Sequence, residues 1–136
     1  MAHNKRALVT LAVGEKYEKL FERYCRKNWS NYCQKYSYDL VVINNLLDNT
    51  DRAKNRSPAW QKLLILSQEW SSKYEQIVWV DTDIMINNNL APDIAELVPI
   101  EKVGAVERYS IPSREIFNIA LTRLYDYWDS LGIKYL

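Results

Sequence analysis

The sequence predicts an α/β fold in which a mostly parallel sheet is covered by helices on both faces. Three observations predict it. Short apolar runs rich in β-branched residues recur at Ala7–Val13, Leu40–Ile43 and Ile77–Val80, with the unbroken apolar character of strands buried on both sides. Segments with apolar residues at helical spacing lie between them. The resulting alternation of strand and helix is the one that sets parallel strands side by side under right-handed crossovers.

The first run, Ala-Leu-Val-Thr-Leu-Ala-Val, is ended by Gly14. From Tyr17 to Tyr36, residues Tyr17, Leu20, Phe21, Tyr24, Cys25, Trp29, Tyr32, Cys33 and Tyr36 form one helical stripe, while Lys16, Glu18, Lys19, Glu22 and Lys27 occupy much of the other side. That spacing argues for core packing by the aromatic residues, with a sugar-stacking surface as the alternative reading. Cys25 and Cys33, about 12 Å apart along such a helix, are too distant for a disulfide and are expected to pack as small apolar groups.

Leu40–Ile43 is the second strand, and Asn44–Ser57 is a polar loop carrying Arg52, Lys54 and Arg56. Ser57-Pro58 is a helix start, a capping hydroxyl followed by proline, and predicts a helix over Pro58–Lys73 with Trp60, Leu63, Leu64 and Ser67 on one face. Ile77–Val80 is the third strand and Asn87–Asn89 a turn. A short helix at Asp93–Leu97, a fourth strand at Val103–Val106 and a final amphipathic helix complete the pattern. That last helix has Phe117, Ala120, Leu121, Leu124, Trp128 and Leu131 on its stripe and ends at Gly132.

At 136 residues the chain has the length of one domain, 1–136. Its net charge of +1 gives nucleic acid and acidic membrane surfaces no electrostatic hold. No apolar stretch approaches the roughly 20 residues that span a bilayer, and no targeting segment precedes the first strand, so the expected location is the cytoplasm. With His3 the sole histidine, chemistry that needs an imidazole has little to draw on.

The chemistry is expected at Asp81-Thr82-Asp83. In parallel sheets the ligand crevice lies beyond the carboxyl ends of the strands, and this motif follows the third strand directly. Two carboxylates two residues apart on extended backbone point to the same side, where their repulsion favours a compensating cation. All-oxygen ligands suit a hard divalent ion, Mn²⁺ or Mg²⁺, whose shell is commonly completed by water and substrate phosphates. Asp81 and Asp83 are therefore the expected metal ligands. The alternative is an Asp-X-Asp pair that merely caps a turn in solvent.

These segments resemble the GT-A glycosyltransferases, in particular the glycogenin-like and lipopolysaccharide galactosyltransferase-like group, family 8. The likeness runs over residues 7–107. It is carried by Val9–Tyr17, Trp60-Gln-Lys-Leu-Leu64, Ile77–Ile86 with its Asp-X-Asp, and Asn87–Val106. The resemblance implies a Rossmann-like nucleotide-diphospho-sugar transferase fold and transfer of a sugar from a UDP-sugar donor to a hydroxyl of a glycan, lipid or protein acceptor. It nominates Thr10, Leu11, Ala12 and Tyr17 for the nucleotide, Lys62 for the donor phosphates or sugar, and Asp81, Thr82 and Asp83 for the metal-bound diphosphate. For Lys62, and for one contact among Arg52, Lys54 and Arg56, the alternative is a solvated surface residue. In that family a histidine well downstream supplies a further metal ligand; none stands there here, so the expectation is a donor-binding part truncated on its acceptor side.

Two other functions compete. A catalytically inactive nucleotide-sugar-binding domain requires the same site without turnover. A Mg²⁺-dependent phosphatase of the haloacid-dehalogenase type also uses Asp-X-Asp at a strand end. There the motif usually ends the first strand and has Thr or Val as its fifth residue, whereas here it ends the third and the fifth is Met85.

Overall fold

The computed structural model describes residues 5–106 and 113–133. The chain divides into two compact units, Met1–Lys102 and Val103–Leu136. The first is an α/β unit around three strands, β1 (Arg6–Leu11), β2 (Tyr38–Ile43) and β3 (Gln76–Trp79). They form an all-parallel sheet in the order β2-β1-β3. Leu8 pairs with Leu40 on one side and with Val78 on the other.

Period-two alternation divides the sheet's side chains between two cores. Leu8 and Ala12 of the central strand face a cluster with Phe21, Cys25, Trp29, Tyr32, Cys33 and Tyr38. Ala7 and Val9 face Ile65, with Trp70, Tyr74 and Trp79 packed around it. Both faces are thus covered, one by the helical rod after β1 and the other by the segment after β2.

The first covering element is a single helical rod in three parts: α1 (Glu15–Leu20), one π turn (Phe21–Cys25) and α2 (Arg26–Tyr36). The π turn is closed by the Arg26 N–H donating to the Phe21 carbonyl, an i→i+5 bond. It keeps Phe21, Cys25 and Trp29, each four residues apart, on the buried side. Leu20 and Tyr24, expected on the same stripe, are turned outward and exposed. Both cysteines are free and buried, as the helical spacing requires.

The predicted helix at Pro58–Lys73 is instead two 3₁₀ segments, Pro58–Ser67 and Glu69–Lys73, with extended backbone at Gln68. Side chains compete for the carbonyls that an α-helix would use. The Ser67 hydroxyl and the Gln68 amide both donate to Leu64 O, and the Ser71 hydroxyl donates to Leu66 O and Gln68 O. Trp60 and Leu63 are consequently exposed, and Gln61 and Ile65 face inward. Gln61 locks the preceding loop by accepting from Asp48 N and donating to Asp48 O. That loop also holds one short helix, α3 (Asp51–Lys54), capped by the Thr50 side chain.

After β3, the run Ile84-Met85-Ile86 has the composition of a strand but is held by helix side chains. Trp29 Nε1 donates to Ile84 O at 2.9 Å, and the Asn28 side chain both donates to Ile86 O and accepts from Ile86 N. Tyr36 and Tyr32 hydroxyls donate to the carbonyls of Ala91 and Pro92. These side-chain bonds take the place of a ladder at Ile84 and Ile86. The helix expected at Asp93–Leu97 is a single 3₁₀ turn, Ala95–Leu97.

The fourth strand expected at Val103–Val106 does not form. Val103 is 96% exposed and Val106 78% exposed, and among the described residues the run pairs with no strand that would satisfy its backbone. In the second unit, α4 (Arg114–Ser130) is the predicted final helix. The Ser113 hydroxyl accepts from Ile116 N at its start, and Gly132, with φ +66°, supplies the left-handed residue after its end. Among the described residues no helix is long and apolar enough to cross a membrane.

Burial raises several acidic groups in the first unit. The Cys33 thiol is pushed up to about 12, and burial with the Asp39 hydrogen bond pushes the Tyr74 phenol up to about 12; Tyr38 and Tyr32 also rise, chiefly through burial. Each group is neutral in the fold at a pH where the unfolded chain has begun to lose its proton. Their contribution is fully present below the ordinary thiol and phenol values of 9.0 and 10.0 and is lost as pH rises toward 12. The urea midpoint should therefore be flat up to about pH 8.5 and fall between pH 9 and 12. Cys33→Ala should reduce the earliest part of that fall, which it shares with the Cys25 thiol, and equilibrium unfolding at pH 8, 9.5 and 10.5 would measure it.

Candidate functional site

The carboxyl ends of β1 and β3 open into a cleft of about 230 Å³ lined by Leu11, Val13, Tyr17, Ser57, Pro58, Ala59, Trp79, Asp81, Thr82 and Asp83. Its position follows from the strand order. The chain leaves β1 to one side for β2 and returns to the other for β3, and the crevice of such a sheet lies where the order reverses.

Alternation along β1 explains which nominated residues reach the cleft. Leu11 and Val13 have the parity of Val9 and line it; Thr10 and Ala12 have the parity of Leu8 and turn into the core beneath the helical rod. Thr10 is fully buried, and its hydroxyl has no hydrogen-bond partner among the described residues. Tyr17, one turn into α1, is 54% exposed and forms part of the cleft wall. The same parity carries Trp79 and Asp81 to one side, and Trp79 Nε1 donates to Asp81 Oδ1 at 2.8 Å. Lys62 is outside the lining but reaches Asp81 Oδ1 at 3.5 Å.

The backbone does not stay extended through the acidic motif. Ile84 N donates to Asp81 O at 3.2 Å, closing a turn over Asp81-Thr82-Asp83-Ile84. The expectation that extended geometry alone aligns the two carboxylates is therefore replaced by a turn, around which Asp81, Thr82 and Asp83 all still line the cleft. The turn is supported from below. The Cys25 thiol donates to Thr82 O at 3.3 Å and lies 3.9 Å from the Met85 sulfur. Burial, with the nearby Asp83 charge, raises the Cys25 thiol and keeps it a neutral donor.

Asp81 and Asp83 fit a hard divalent ion in donor chemistry, being carboxylates beside a polar hydroxyl at an open cleft. Among the described residues no three His, Cys, Asp or Glu side chains gather into a ligand group, so such an ion would take the remainder of its shell from water and phosphate oxygens. His3 lies outside the described residues. Arg52, Lys54 and Arg56 are exposed in the stretch that leads to Ser57 at the rim; Lys54 pairs with Asp51 at 3.6 Å.

Val13, Ser57, Pro58, Ala59 and Trp79 were not indicated as site residues by their chemistry. The signal for Trp79 and Val13 was available in their spacing from Asp81 and Leu11, because residues two apart at a strand end share a side. The 3₁₀ start at Ser57–Ala59 had no such signal. Comparison of the chain with family models, curated proteins and solved structures finds no match.

Proposed function

We propose that this chain is the donor-binding part of a metal-dependent glycosyltransferase of GT-A type, moving a sugar from a UDP-sugar to an acceptor hydroxyl. The observation that carries the reading is the shared cleft: the end of β1, Tyr17 and the Asp81-Thr82-Asp83 turn line one opening at the switch point of a parallel sheet.

The wall formed by Leu11, Val13, Pro58 and Ala59, with the rings of Tyr17 and Trp79, is apolar and aromatic, as suits a nucleoside. The acidic turn forms the polar end. Asp81 and Asp83 would hold the cation, Mn²⁺ or Mg²⁺, and Lys62 stands close enough to Asp81 to meet the diphosphate. When bound, the cation supplies charge stabilisation for the departing nucleoside diphosphate. The residues of the chain bind and orient the donor; none of them is assigned as a general base.

Calorimetric titration with UDP and Mn²⁺ tests the reading. Wild type should bind UDP only with Mn²⁺ present, and Asp83→Ala should weaken that binding by more than about tenfold, since losing even a residue that only supports a metal ligand costs 10–100-fold. Unchanged binding in Asp83→Ala would remove the metal-dependent reading. A second reading, a binding domain without turnover, rests on the same cleft and draws on one observation, that no group of three His, Cys, Asp or Glu side chains gathers among the described residues. UDP-sugar hydrolysis separates the two, because only the enzyme releases UDP.

A further inference from the structure

Resting on that reading, we infer that Lys62 is the resident counter-ion of Asp81, and that its displacement couples nucleotide binding to cation binding. Among the described residues Asp81 Oδ1 has two partners: the neutral Trp79 indole N–H at 2.8 Å, which aims it, and the Lys62 ammonium at 3.5 Å, which supplies the opposite charge. An ammonium and a divalent ion cannot share that oxygen at close range without repelling each other. A cation arriving alone therefore has to drive Lys62 away from its partner. A diphosphate offers the ammonium another anion within reach of its flexible stem, and so frees Asp81 for the cation.

Lys62 is suited to this exchange by its position. It lies on the 3₁₀ segment whose first residues form the cleft rim, with its side chain 40% exposed, so it can leave Asp81 without uncovering the core. Its neighbour Gln61 is buried and fixed to Asp48, which holds the backbone while the lysine moves. An exposed pair at this distance is weak, and the expected effect is correspondingly a few-fold change rather than a loss of binding. Coupling of this kind is reciprocal: whatever factor UDP adds to cation affinity, the cation adds to UDP affinity.

The test is Mn²⁺ binding, followed by the electron paramagnetic resonance signal of free Mn²⁺, with and without UDP, at physiological salt. Lys62→Met should bind Mn²⁺ alone about threefold more tightly than wild type. UDP should then raise that affinity by a correspondingly smaller factor. Lys62→Arg should restore the wild-type pattern. Lys5→Met should leave Mn²⁺ affinity unchanged; it removes the same charge at the opposite end of the strands, where Lys5 pairs with Glu75 at 2.7 Å. Mn²⁺ affinity that is unchanged or weaker in Lys62→Met overturns the counter-ion role while leaving the site intact. Wild type that takes up no Mn²⁺, with or without UDP, overturns the metal site and this inference together.

Discussion

Trp29→Ala should cost about 5 kcal/mol of unfolding free energy, close to the whole stability of many domains of this size. Two losses combine. The indole is fully buried against the sheet and meets the Phe21 ring edge-on at 5.2 Å, so truncation leaves a cavity in the tightest part of the core, a change that costs about 3–5 kcal/mol by itself. The Nε1 hydrogen bond to Ile84 O also disappears, leaving that part-buried carbonyl only the weaker Cys25 thiol at 3.7 Å, for about 1–2 kcal/mol more.

Trp29→Phe separates the terms. It keeps most of the ring volume and removes only the donor, so it should fold with a loss of about 1–2 kcal/mol. Ile84 closes the acidic turn through its N–H to Asp81 O, so the same variant should also loosen the site. Urea denaturation gives the stability, and UDP titration with Mn²⁺ reports the turn. A Trp29→Ala protein within 1 kcal/mol of wild type would mean that the helical rod is not anchored through this ring.

The role of Trp29 illustrates what could be read in advance. Its burial was legible, because Phe21, Cys25, Trp29, Tyr32 and Cys33 recur at intervals that only a helix brings to one side. The parallel strands were legible from their unbroken apolar runs for the same reason. The indole hydrogen bond was not, because it joins residues 55 apart and depends on where the chain returns after β3.

Composition misleads where a partner edge is missing. Val103–Val106, expected as a strand, and Ile84–Ile86 both have strand-like composition, but a strand needs a partner edge, and composition does not say whether one is present. At Ile86 the Asn28 side chain substitutes for the partner; at Val103 no described residue does, and the side chain is exposed. The Trp60–Ser67 stripe fits three-residue and four-residue spacing almost equally, so side-chain hydroxyls and amides decided the outcome. At the site, the two aspartates were legible as chemistry. Which β1 residues meet them followed from parity, and the Lys62 contact from tertiary structure alone.

Asp93→Ala should be the second most damaging substitution, at about 3–5 kcal/mol, because it breaks a nearly buried charge pair from one side. The Asp93 carboxylate is 9% exposed; it accepts from Arg6 Nη1 at 2.6 Å, the Tyr38 hydroxyl at 2.5 Å and Ala95 N at 3.2 Å. Through Arg6 the network continues to Gln76, whose amide donates to the Ala95 and Val98 carbonyls. Removing the carboxylate therefore leaves the Arg6 guanidinium without its buried counter-ion, though still donating to Gln76, and the Tyr38 hydroxyl without its acceptor, though still accepting from Ala95 N, at the point where β1, β3 and the 93–98 segment meet. Glu96, 4.0 Å from Arg6 and 70% exposed, is too solvated to replace it. Arg6→Met should cost less, about 1–3 kcal/mol, because Asp93 keeps its Tyr38 and Ala95 donors. The double variant Arg6→Met/Asp93→Leu should recover most of the Asp93→Ala loss, since two apolar groups of similar volume do not need the solvation that an unpaired charge does. Urea unfolding of the three proteins decides the matter. If the double variant is as unstable as the sum of the singles, the two side chains act independently and the unpaired-charge account fails; recovery would show that the main role of the pair is to keep either charge from being buried alone.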